Sequence, residues 1–146
     1  MSMSNAAEAA FLDLLFLNVD WANVGDAGGL QNSATAGSFY IALHTADPGE
    51  AGDQTTSEIA YTSYARVAVA RSGAGFSRSG STISNAALVQ FPQCTGGSGT
   101  ATHFSVGTAS SGAGQIIVSG ALASSLAVSN GIQPQFAAGA LQATAD

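Results

Sequence analysis

The sequence has no lysine. Its only arginines are Arg66, Arg71 and Arg78, set against nine Asp and Glu residues for a formal charge of -6 over 146 residues. A chain so short of cations is poorly equipped to hold a phosphate backbone or an anionic bilayer, so nucleic acid and membrane surfaces are not expected partners. Charged residues make up 8% of the chain, where about 25% is usual. Eight of the acids lie before residue 60, and beyond it only Asp146 is acidic. A surface nearly devoid of charge is a solubility risk unless other molecules cover much of it, which points toward a permanent assembly.

Cysteine is almost absent too. Cys94 is alone, so no intrachain disulfide can form and nothing demands an oxidising compartment. A catalytic cysteine needs a neighbouring base or helix N-terminus to lower its pKa, and the surrounding Pro-Gln-Cys-Thr-Gly-Gly supplies neither. No basic segment precedes the apolar run 11–17, and Asp13 interrupts it, so neither a signal peptide nor a membrane span is expected, and synthesis is expected in the cytoplasm. Phosphate loops, zinc spacings and nucleophile elbows are missing as well. His44 and His103 fall on strand faces opposite the large apolar residues and are expected to bond to strand or interface polar groups. A serine and an acid nearby would be too loose a basis for a triad, which is defined by geometry. The expectation is therefore a protein that is not an enzyme, with no cofactor.

What is present is a β pattern behind one helix. Residues 5–19 carry Phe11, Leu15 and Val19 on one stripe and Leu12 and Phe16 on the next, with Asn5 and Glu8 placed as a capping pair. Leu14 and Leu17 spread the apolar surface further round, so the helix is expected to be covered on more than one side. Residues 21–37 have no period and are punctuated by four glycines, as an arm whose start Trp21 could anchor. The first strand is residues 38–45, S-F-Y-I-A-L-H-T, with Phe39, Ile41 and Leu43 on one face, and Ala46-Asp47-Pro48-Gly49 stops it. Asp47, Glu50 and Asp53 follow at intervals of three, a spacing that does not match the alternating ligands of a Ca²⁺ loop, so no metal is expected there.

Further strands are expected at 64–71, at 76–78 and 82–84 as a hairpin over Ser79-Gly80, and at 87–91 and 101–107. Others fall at 115–120, at 126–128 and 132–136 around Asn130-Gly131, and near 141–144. The fold class is mainly β, an antiparallel β-sandwich or barrel with one N-terminal α-helix. Residues 1–37 read as a helix and arm that attach the protein to something, and residues 38–146 as a self-sufficient β domain. The subunit or capsid-type interface residues expected from the over-apolar helix are Phe11, Leu14, Leu15, Leu17 and Trp21.

Several stretches carry a resemblance: S-A-T-A-G-S-F-Y-I-A-L-H-T-A-D-P-G-E-A-G at 33–52, Y-A-R-V-A-V at 64–69, S-N-A-A-L-V-Q-F-P at 84–92, T-H-F-S-V-G at 102–107 and G-A-L-A-S-S-L-A-V-S-N-G-I-Q-P-Q-F-A-A-G-A-L at 120–141. Together they resemble a family of small structural proteins of tailed bacteriophages, widely labelled tail-fibre proteins. The resemblance implies a virion component made in the cytoplasm of a host bacterium. A short domain without heptads or fibrous repeats does not look like an extended shaft. The expected role is therefore capsid decoration, as a minor capsid or cement protein bound to the major capsid protein or other virion proteins. A homotrimer is expected by analogy with three-fold capsid positions. The alternatives are a tail-fibre or baseplate component, and a receptor- or glycan-binding module, for which one Trp and three Tyr offer little.

Overall fold

The N-terminal helix ends early, and the way it ends fixes how it docks. The computed structural model describes residues 2–145, so the outer limits of both expected segments, Met1 and Asp146, lie outside the described residues. Helix α1 spans Asn5–Leu12, and Ser4 rather than Asn5 is its N-cap, its hydroxyl accepting from the Ala7 amide at 3.3 Å. The expected helix to residue 19 instead widens into a π-turn over Asp13–Leu17 and stops at Asn18, which takes a left-handed φ of 57°. The wider turn places Leu12 and Phe16 on the body, both essentially unexposed.

The arm after the helix folds on itself. Trp21 and Leu30 exchange both backbone hydrogen bonds at 2.9 Å. The Asn18 side chain holds Ser33 through two bonds, accepting from its amide and donating to its carbonyl. Asp26 accepts from the amides of Gly28 and Gly29.

The body is built from antiparallel strands: β1 Ser38–His44, β2 Val67–Ala70, β3 Phe76–Ser79, β4 Thr82–Asn85, β5 Val89–Gln90, β6 Ser98–Gly107, β7 Ile116–Ser129, β8 Gln135–Phe136 and β9 Gln142–Thr144. They form a four-stranded sheet in the order β2-β1-β6-β7, a three-stranded sheet β3-β4-β9 and a two-stranded pair β5-β8. Among the described residues three separate antiparallel sheets make a layered β fold, and no barrel closes. Ile41, Phe104, Val106 and Val118 of the large sheet face Phe76, Ile83, Leu141 and Ala143 across a shared apolar interior. The expected face Phe39, Ile41 and Leu43 is buried, and so are Ala42 and His44 on the other side, because the loop 46–58 covers the end of β1.

Two expectations fail in an instructive way. Asn130-Gly131 does reverse the chain, with Gly131 at φ 90°. Yet β8 pairs with β5, with Val89 opposite Phe136, and not with β7. Pro134 withholds a donor from any ladder, and the neighbouring Phe91 amide donates to its carbonyl at 2.9 Å, which draws the segment toward β5. The separate strands expected at 115–120 and 126–128 are one long β7. Its pairing with β6 shifts by three residues between Ala101↔Leu126 and His103↔Ala121, a bulge that local pattern cannot reveal.

Candidate functional site

The three arginines are all committed within the chain, and their partners show what the fold protects. Arg66 makes a bidentate pair with Glu58 at 2.7 and 2.8 Å and donates to the carbonyls of Ala109 and Gly112 at 2.9 and 2.8 Å. Its hydrogen bond to Glu58 raises its pKa further. Tyr64 donates to the same carboxylate at 2.9 Å while accepting from the Leu43 amide at 3.1 Å, and burial, above all, pushes its phenol well up. Gln54, wholly buried, donates to the Tyr40 carbonyl at 2.9 Å and accepts from the Ala109 amide at 3.1 Å. This network knits loop 46–58, β1 and the turn between β6 and β7 together. Among the described residues no buried side-chain polar atom lacks a partner.

Space around Gln54 is closed. An ideal Cβ on Gly107 would sit 2.2 Å from the Gln54 amide carbon, and one on Gly114 would sit 2.2 Å from its Oε1. Gln54 cannot swing away without abandoning buried partners. We therefore expect Gly107→Ala and Gly114→Ala each to cost about 1–3 kcal/mol or more, read from urea unfolding midpoints. Unchanged midpoints would mean that the network yields freely.

His44 is also sealed. Its Nδ1 lies 2.8 Å from the Thr56 carbonyl, which only a donor can satisfy, so Nε2 is the acceptor for the Ser105 hydroxyl at 2.8 Å. Both side chains are fully buried, so Ser105 Oγ has no open approach for a substrate. Burial lowers the His44 pKa from its ordinary 6.5, against the pull of the Thr56 carbonyl and the Glu58 charge. A histidine depressed in the folded state adds stability that is whole above the unfolded value of 6.5 and drains away as pH falls toward the folded value. We expect the unfolding midpoint to drop between pH 7.5 and 5.5, and the drop to shrink in His44→Asn. An equal drop in both proteins would assign it to other groups. The His103 Nδ1 lies 2.9 Å from the Thr102 hydroxyl.

The acids at 47, 50 and 53 do not converge. Asp47 accepts from the Gly49 amide at 2.9 Å, and Asp53 accepts from the amide and hydroxyl of Thr55 at 2.7 and 2.5 Å, bonds that lower its pKa. Cys94 is buried and directs its thiol at the Gly96 carbonyl, 3.3 Å away. The nearby Tyr61 phenol, pushed up to about 12 mainly by burial, donates to the Pro92 carbonyl.

The five apolar residues singled out near the N-terminus differ in exposure. Phe11 is exposed; Leu15 and Leu17 are half-buried against the core; Leu14 and Trp21 are half-buried. Arg71 donates to the carbonyls of Leu14 and Leu15, closing the C-terminal end of the helical segment, and also reaches Ser33 and Ala36. Arg78 pairs with Asp13 through both carboxylate oxygens. Helix and arm are thus fastened to the body through backbone carbonyls, a link that no side-chain pattern announces.

Sheets packed on one another, a docked helix and charges spent on internal partners are what the fold presents, and among the described residues no group of His, Cys, Asp and Glu could hold a metal ion. One family model matches residues 2–144, that of the podophage GP4 fiber I protein gp80. The chain belongs to this family. It is a phage structural protein of the fibre type. No curated protein matches it significantly. No described helix is long and apolar enough to cross a membrane.

Proposed function

We propose that this member of the gp80 family is a small binding subunit of the phage fibre, acting without catalysis and held in the virion by contacts with neighbouring virion proteins. The observation that carries the reading is the match to a fiber I family over residues 2–144. The low charge supports it: a body with so few ionic groups is suited to being covered. Exposed Phe11, Leu88 and Ile132 are apolar contact points for such neighbours.

Capsid decoration is the second reading, favoured by the body's three small sheets, which offer no elongated repeat for a shaft. Copy number separates the two. Quantitative mass spectrometry of purified particles should return a few to dozens of copies for a fibre subunit, and hundreds for a shell protein. Self-association belongs to both readings, as a homotrimer or another closed ring. Light scattering at micromolar concentration checks it, and a clean monomer would leave assembly to the particle alone.

A further inference from the structure

Residues 116–119 lie on an outer edge of the four-stranded sheet. β7 is an outer strand of the four-stranded sheet, and among the described residues β6 is the one strand it pairs with. Alternate residues of such a strand turn an amide and a carbonyl away from the sheet, where they can template another strand. Natural edges are blunted by lysine, proline or inward charges. The segment Ile116, Ile117, Val118, Ser119 has none of these. Beside it runs a groove of about 380 Å³, walled on the other side by Asp47, Gly49, Glu50 and Gly52. Asp47 uses one carboxylate oxygen on the Gly49 amide, and among the described residues neither Asp47 nor Glu50 has an ion-pair partner.

We propose that this groove takes an extended, basic peptide segment of another protein, which adds a strand to β7 and sets lysine or arginine against Asp47 and Glu50. Backbone pairing to 116–119 supplies the register, and the acids select the partner by charge. A second copy of the chain does not fit this chemistry. It has no lysine, and Arg66, Arg71 and Arg78 are each bound internally. The cation must therefore come from a different protein. The inference holds wherever on the particle the subunit sits, so its test stands apart from localisation.

The probe is a synthetic octapeptide alternating lysine with valine, titrated to millimolar concentration against the full chain while amide shifts and hydrogen exchange are followed by NMR. We expect saturable shifts and slowed exchange at residues 116–119, weakening as salt is raised. The Glu-for-Lys peptide should have no effect. The lysine peptide with methylated backbone amides keeps its charge but cannot pair, and it too should leave 116–119 unprotected. Asp47→Asn with Glu50→Gln should weaken binding roughly two- to tenfold, the scale of two exposed ion pairs. The proposal is overturned if the lysine peptide leaves 116–119 unmoved, or if the methylated peptide binds as well. It is also overturned if protection at 116–119 appears on concentrating the protein alone, which would give the edge to a second copy.

Discussion

Replacing Phe16 with alanine is expected to cost about 3–5 kcal/mol, enough to consume much of the stability of a domain of this size. Phe16 has no exposed surface. Its ring packs against Phe39 and Phe76 with centroids 5.3 and 5.1 Å apart, in tilted and edge-on contacts. Those two rings lie on β1 and β3, one in each of the two larger sheets, so the π-turn supplies a plug where the sheets meet. The comparison that gives the number meaning is Arg78→Ala. That pair with Asp13 is partly exposed, at 28% and 23% side-chain accessibility, and should cost about 1 kcal/mol or less. Calorimetry on both variants separates packing from charge as the force that seats the helix. A small loss in Phe16→Ala would support the independence expected of residues 38–146, and a large one makes the helix part of the body's core.

The second large effect is expected at Arg66. Arg66→Ala removes a guanidinium whose side chain is 2% exposed, leaves Glu58, at 17%, without its ion-pair partner, and takes a donor from the carbonyls of Ala109 and Gly112. Breaking a buried pair from one side costs about 3–5 kcal/mol, because the remaining charge is stranded. Glu58→Gln, which keeps hydrogen-bonding capacity, should be milder than Arg66→Ala. If both variants melt with the native protein, the network does not hold loop 46–58 to β1.

The turns and the first strand were legible because their signals are local. Ser79-Gly80 marks the β3–β4 hairpin, with Gly80 at φ 60°, and the alternation of Phe39, Ile41 and Leu43 marks the buried face of β1. What local pattern could not convey depends on distant partners. The β5–β8 pair joins residues 89 and 136, and the bulge in β7 exists only relative to β6. Nor does local pattern say which apolar residues of the helix meet the body, because they cover most of its circumference. In the fold, Leu12 and Phe16 are spent on the core and Arg71 on the backbone behind them. The β7 edge is hidden from local pattern for the same reason: an edge is a property of the sheet, and a run such as Ile-Ile-Val reads the same in a central strand.

Immunogold labelling of intact purified particles tests the central claim most directly. A fibre subunit predicts gold confined to the tail and its fibres, in low number per particle. Gold spread over the head would assign the protein to the shell, and particles that carry none of it would contradict its place in the virion.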